Sequence, residues 1–338
     1  MKKIILTFLL LGLTGFVFAE KIVPLPELEK PGNIIVDQGQ ILITEFPLVY
    51  IYSLADFKLI KKFGKAGQGP REFAGGISVQ RDPEHPDKIV VGSAMKVSYF
   101  TRSGEFIKEV RAESSAGRAY KPLGKNYVAY GTDRDRKTRI YYKTINLHDS
   151  NLEKIKEVHR EKGSFQQGRK TNALQGFETW TVIYDNKIFV TGGKDGYIFV
   201  FDDNGDRLFS IECNTRKIKV TEKDKARYHY FYKTHRNTKP YYDRLKNFLI
   251  FPDYFPKIRG MYMVDNKIYV NGYLREDGKT EFYIYDLKGN LLKEKIALFL
   301  PERDLVGLYP YTIKDGKVYQ VVDNVEKEEW ELHIHTIE

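Results

Sequence analysis

"NKIFVTGGKDGYIFVFDDNGDRLFSI", residues 186–211, holds three short runs of alternating β-forming residues separated by turn residues. Asn204-Gly205 lies between the last two runs, and Asn and Gly tolerate the positive φ that a tight hairpin demands. With the short run before its opening turn, the segment spells four antiparallel strands.

The same unit returns along the chain. The opening turn and strand recur as "GQILITE" at 39, "DKIVVGS" at 87, "GKNYVAYG" at 124, "NKIYVNGY" at 266 and "GKVYQVVD" at 316. The hairpin recurs as "LVYIYSLADFKLIKKF" (48–63), "KVSYFTRSGEFIKEV" (96–110) and "EFYIYDLKGNLLKEKI" (281–296). Six four-stranded units predict an all-β chain folded as a six-bladed β-propeller. From Ile41, the equivalent positions are Ile89, Asn126, Ile188, Ile268 and Val318, at intervals of 48, 37, 62, 80 and 50 residues. A blade of this kind needs about 40–50 residues, so the two long intervals hold insertions. The longer one falls between blades 4 and 5. A β-sandwich or two smaller β domains are the alternatives, but the near-constant unit and the lack of a linker favour one ring. The last unit ends at its third strand, "ELHIHTIE", and "EKIVPLPEL" (20–28) is available as the missing outer strand. Such a clasp removes two exposed sheet edges.

"FGKAGQGPREF" (63–73) invites comparison with a phosphate loop, but no Ser or Thr follows its Gly-Lys pair, Pro70 removes an amide donor, and a strand follows instead of a helix. It reads as the crossing from the rim of one blade to the centre of the next, with Phe73 filling the seam. Gly64, Gly67, Gly69, Pro70, Glu72 and Phe73 resemble the start of an NHL-type repeat, G-x-x-G-x-G-P-x-x-F, found in secreted bacterial six-bladed propellers. "SGEF" and "KGNLL" are similar to that repeat's end. The glycine signature occurs once here. The resemblance implies the propeller fold but no single activity: some such proteins are amidating lyases or lactonase-like hydrolases with channel-bound zinc or calcium, and others bind protein, RNA or glycans.

Residues 1–19 read as a secretory leader: Lys2 and Lys3, an apolar run from Ile4 to Phe18, and a cleavage site after Ala19. The run is short for an anchor, since a bilayer needs about 20 apolar residues. The mature chain, 20–338, is expected as one propeller domain and a monomer, in the periplasm or outside the cell, with no transmembrane segment. Cys213 is the only cysteine, which excludes an internal disulfide and a cysteine-based zinc site.

Net charge is +10, or +8 without the two leader lysines. Residues 213–259 carry thirteen Lys or Arg against four Asp or Glu, so +9, and ten Tyr or Phe. This insertion therefore accounts for the basic balance of the whole mature chain. Thr221 and Asp224 predict a capping box opening a helix to about Lys233, and Pro240 predicts a second short helix ending before Pro252. Strand-to-strand topology places the excursion on the face bearing the rim-to-centre crossings, together with a shorter insertion at 159–177. Arg227, Tyr228, Tyr230, Lys233, Arg236, Tyr241, Tyr242 and Arg244 are candidate ligand-binding residues: aromatic rings stack on sugars, and guanidinium groups pair with carboxylate or phosphate. The bland alternative makes the aromatics packing and the cations a solvated face. Lys121, Glu178, Arg259 and Tyr309, at the starts of inner strands, are candidates at the channel mouth.

No catalytic residue, metal site or cofactor is assigned. The histidines form no H-E-x-x-H; His333 and His335 share a strand face but read as strand residues. Asp133 and Asp135 in "TDRDR" read as a solvated hairpin tip, and Cys213 as inert. The reading is a secreted propeller acting as a non-catalytic binding module for an anionic glycan or an acidic protein surface, with no nucleic-acid partner. A metal-assisted lyase or hydrolase in the channel, or an envelope scaffold, are the alternatives.

Overall fold

The computed structural model describes residues 21–337 apart from 83, 113–117, 164–169, 175–179, 193–195, 277–278 and 300–306. The leader, residues 1–19, lies outside the described residues.

Six four-stranded antiparallel sheets form six blades. Blades 1 to 5 run in chain order from innermost to outermost strand: Ile34–Asp37 to Leu59–Phe63, Ser78–Gln80 to Phe106–Arg111, Arg118–Leu123 to Lys154–Lys162, Thr181–Tyr184 to Arg207–Glu212, and Gly260–Val264 to Leu291–Phe299. Each innermost strand touches those of the two neighbouring blades, which closes a ring. Blade 6 takes Tyr311–Lys314, Lys317–Asn324 and Glu329–Thr336 from the end of the chain, and Lys21–Pro24 as its outer strand. Lys21 lies opposite Ile334 and Pro24 opposite Glu331, so the expected clasp is present.

Period-two alternation explains where the core sits. Successive residues of a strand point to opposite sheet faces, and here both faces meet a neighbouring blade. Ile41 and Ile43 join Val321, Leu332 and Ile334 of blade 6, whereas Leu42 joins Val79, Ile89 and Val91 of blade 2. Each of the six seams holds its own apolar cluster in this way. Middle strands are therefore buried on both faces, and their apolar runs are nearly continuous.

The turns divide the work differently from the sequence reading. Asp185-Asn186, Asp265-Asn266 and Asp315-Gly316, before the second strands, have both residues at positive φ. In the outer hairpins of blades 4 and 5 only the glycine does: Gly205 has φ 73° and Gly289 has φ 92°, while Asn204 stays outside that region. An aspartate stabilises these tips instead. Asp202 Oδ1 accepts from the backbone N–H of Asn204 and Asp206 (3.0 and 2.8 Å), and Asp286 Oδ1 accepts from Lys288 and Asn290 (2.9 and 2.8 Å).

Residues 64–77 cross from blade 1 to blade 2 as expected. Phe73 is completely buried among Leu42, Val49 and Ile51 of blade 1 and Val79 and Phe100 of blade 2. Its backbone holds the loop: Phe73 N–H donates to Lys65 C=O (2.7 Å) and Gly67 N–H to Phe73 C=O (2.9 Å). Gly64 (φ +116°) has no room for a side chain, since a Cβ there would lie 2.3 Å from the Pro47 carbonyl oxygen.

Candidate functional site

The basic insertion between blades 4 and 5 is built as a small cap with its own core. Its helix α1, Glu222–Thr234, carries the expected capping box: Thr221 Oγ1 accepts from Asp224 N–H (3.2 Å) and Asp224 Oδ2 accepts from Thr221 N–H (2.9 Å). Beyond it, the segment read as one short helix is three single turns, Lys239–Tyr241, Tyr242–Leu245 and Lys246–Phe248. A two-residue strand, Leu249–Ile250, follows and pairs in parallel with Thr171–Asn172 of the shorter insertion. Tyr232 OH also donates to Ala173 C=O (2.7 Å). The two insertions thus form one body, around Leu174, Val220 and Tyr228 with Tyr232, Phe251 and Phe255. Residues 159–162, read as the start of the shorter insertion, belong to the outer strand of blade 3.

The cap is tied to blade 5. Phe255 stacks on Tyr273 (centroids 4.7 Å) and Arg216 N–H donates to Tyr283 OH (3.1 Å), while Thr215 Oγ1 donates to Lys257 C=O (2.6 Å) and joins the two ends of the insertion. Tyr283 OH in turn donates to the buried Glu281 carboxylate (3.0 Å), which lies 3.6 Å from Arg216 Nε.

The candidate cap residues separate into two groups. Tyr228 is 5% exposed and packs against Phe251 and Phe255, so it is core and not a ligand contact. Tyr242 is half-buried beside His229, its hydroxyl 3.2 Å from Nδ1. Tyr230 is 64% exposed, Tyr241 is exposed, and Lys233, Arg236 and Arg244 face solvent. Arg227 is half-buried. Lys223, Arg227, Tyr230 and Lys233 fall on one side of α1, at spacings of three and four residues. Arg244 lies over the Tyr241 ring (5.5 Å) and Lys217 over Tyr254 (5.4 Å).

Three of the cap's four acids are occupied locally, and the fourth, Asp253, is exposed. Glu222 pairs with Lys225 (2.7 Å), Asp243 pairs with Lys246 (2.9 Å), and Asp224 closes the capping box. The Lys246 ammonium beside Asp243 holds that carboxyl below its ordinary value. With thirteen basic against four acidic residues in the insertion, what the cap shows to solvent is a predominantly cationic surface set with tyrosine rings.

At the ring's centre, side chains bond the innermost strands of neighbouring blades to one another. Arg81 donates to Val36 C=O (3.0 Å), and Asn33 Oδ1 accepts from Val79 N–H (3.0 Å). Trp180 Nε1 donates to Arg259 C=O (2.8 Å), and Tyr262 OH to Tyr311 C=O (2.8 Å). Lys121 Nζ donates to Thr181 C=O and lies over the Tyr130 ring (5.8 Å). These bonds occupy backbone groups along edges that no fifth strand covers.

None of the three described mouth candidates is the first residue of an inner strand. Lys121 is the fourth residue of Arg118–Leu123. Arg259 immediately precedes Gly260–Val264, is buried, and lies over Tyr273 (5.5 Å). Tyr309 stands two residues before Tyr311–Lys314, against Trp330 (5.8 Å). Glu178 lies outside the described residues.

Other candidate chemistry is accounted for by packing and pairing. Burial pushes the Cys213 thiol up to about 12. Asp133 pairs with Arg160 (2.8 Å), and Asp135 caps the turn at 137–138. His333 Nε2 lies 3.0 Å from Glu331 Oε2, with the His335 ring 6.4 Å away. Burial opposes ionisation of Glu331, but Lys327, Asn324 and His333 hold its carboxyl down to about 2. Among the described residues no group of three or more His, Cys, Asp or Glu is placed to share a metal ion, and no helix is long and apolar enough to cross a membrane. Sequence reasoning missed Tyr130, on the neighbouring strand of the same blade, and Thr181, which meets Lys121 only because blades 3 and 4 are neighbours.

No family model matches the chain, and neither does any curated protein. Solved structures do. A candidate exported protein from Bacteroides fragilis is 14% identical with a TM-score of 0.53, covering 94% of this chain and 96% of that one. A member of the DUF4221 family from Bacteroides vulgatus is 12% identical with a TM-score of 0.50, covering 94% and 97%. Likeness at these identities speaks for the six-bladed fold alone.

Proposed function

We propose that this chain is a non-catalytic binding module, exported by the leader at 1–19, whose cap holds an acidic glycan. The observation that carries the reading is the division of charge on the cap. Three of its four acids are held in local pairs and a helix cap, leaving only Asp253 exposed and, among the described residues, unpaired, while Lys223, Lys233, Arg236 and Arg244 face solvent, as do Tyr230 and Tyr241. Cations supply attraction and steering toward a polyanion. Exposed tyrosine faces supply stacking surfaces for sugar rings, which favours a glycan over an acidic protein segment. The crossing at 64–73 fits an NHL-like repeat in such an exported propeller, with the ring as a rigid platform for the cap.

Binding of polygalacturonate, compared with a neutral galactan at matched ionic strength, tests this. Saturable, salt-sensitive binding of the acidic polymer alone, lost in the triple variant Lys223→Glu, Lys233→Glu, Arg236→Glu, is the expected result. Equal binding of both polymers contradicts it, and binding only to a polyglutamate peptide would assign the cap to an acidic protein partner.

A further inference from the structure

A second feature, apart from the cap, concerns the seam between blades 3 and 4 beside the channel. Alternation sends Lys121 and Tyr130 of blade 3 toward blade 4, and Thr181 of blade 4 back toward blade 3: Lys121 lies opposite Val128 and Thr181 opposite Val190, and both valines belong to that seam's apolar cluster. The Lys121 and Tyr130 side chains thereby meet the backbone of Thr181, from positions 60 and 51 residues away.

Their hydrogen bonds leave a surplus of one kind. Thr181 N–H donates to Tyr130 OH (3.0 Å), which leaves the Tyr130 hydroxyl proton to be given elsewhere. Lys121 Nζ spends one of its three protons on Thr181 C=O. Thr181 Oγ1 is buried, on a residue only 3% exposed, and has no hydrogen-bond partner. No described carboxylate pairs with Lys121. The seam thus offers an ammonium and two hydroxyls, all with protons to give. An unpartnered buried hydroxyl is costly in a finished core, and a half-buried ammonium repels cations, so a metal ion does not fit.

We propose that Lys121, Thr181 and Tyr130 form a subsite for a single carboxylate group, reached from the channel and separate from the cap. The ammonium provides charge, and the two hydroxyls fix the orientation of the oxygens. Lys121 is half-buried and so reachable by ligand. The choice of an acidic sugar as the carrier of that carboxylate rests on the glycan reading; the arrangement of donors does not.

The probe is sodium galacturonate, with galactose at the same ionic strength as the neutral control, followed through the amide shifts of Thr181 and Val182. Galacturonate is expected to give a saturable shift and galactose none. Thr181→Val removes the hydroxyl while keeping the shape, and is expected to weaken binding about tenfold without lowering the melting temperature. Lys121→Gln retains a donor for Thr181 C=O but removes the charge, and is expected to lose at least as much. The cap triple variant is expected to bind galacturonate normally, so failure of the cap reading and failure of this one are distinguishable. The proposal is overturned if galacturonate shifts these amides no more than galactose, or if the Thr181→Val and Lys121→Gln variants both bind as wild type.

Discussion

Replacing Phe73 with alanine tests whether the blade seams hold this ring together. The side chain is completely buried between blades 1 and 2, with the Phe100 ring 6.1 Å away and Gly64 directly against it. A buried aromatic removes about 150–250 Å² from water, which at ~25 cal/mol per Å² amounts to about 4–6 kcal/mol before relaxation. Measured Phe→Ala changes in cores cost about 3–5 kcal/mol. A chain of this length unfolds with an entropy of about 0.7 kcal/mol/K, from ~2.1 cal/mol/K per residue, so Phe73→Ala should melt about 4–7 °C lower. Ile60, exposed on the outer strand of the same blade, is the control, and its alanine variant should change stability by no more than about 0.5 kcal/mol. Differential scanning calorimetry of both variants against wild type supplies the comparison. If Phe73→Ala melts within a degree of wild type, the seam is not a cooperative part of the ring and the reasoning is wrong.

Gly64→Ala should destabilise by more than about 2 kcal/mol, since it adds a collision with the Pro47 carbonyl to a left-handed backbone; Gly39→Ala, with φ +73° and open space around it, should cost only about 1 kcal/mol in urea titrations. Val23→Pro in the closing strand removes a ladder donor at the clasp and should raise protease sensitivity at both chain ends, whereas Lys58→Pro in an exposed turn serves as a surface comparison. His148 and His159 have their pKa values depressed, chiefly by burial. The unfolded chain therefore binds more protons than the folded one just below the ordinary value of about 6.5, so stability is full above it and falls as pH drops. The melting temperature should decline from pH 7.5 to 5, and His159→Leu should flatten that slope.

What the sequence disclosed depends on how local each determinant is. Ile41, Ile89, Asn126, Ile188, Ile268 and Val318, aligned by their turns, all fall in the second strands of their blades. The capping box at Thr221 and Asp224 was equally visible, because its partners are three residues apart. Tyr228 and Tyr230 could not be told apart from composition: two residues of one helix, one faces the cap's core and the other faces water. The parallel pairing of Thr171–Asn172 with Leu249–Ile250 and the meeting of Lys121 with Thr181 depend on which blades are neighbours and how the insertions fold back. No spacing along the chain records either.

The most direct test of the central claim is the affinity of the protein for polygalacturonate at 50 and 300 mM sodium chloride, for wild type and for Lys223→Glu, Lys233→Glu, Arg236→Glu. Wild-type affinity should fall steeply between the two salt concentrations, because exposed charges are screened over about a Debye length. The triple variant, with its melting temperature unchanged, should bind too weakly to measure at either. Wild-type binding that is indifferent to salt, or retained in the variant, would contradict the assignment of the cap as the glycan-binding surface.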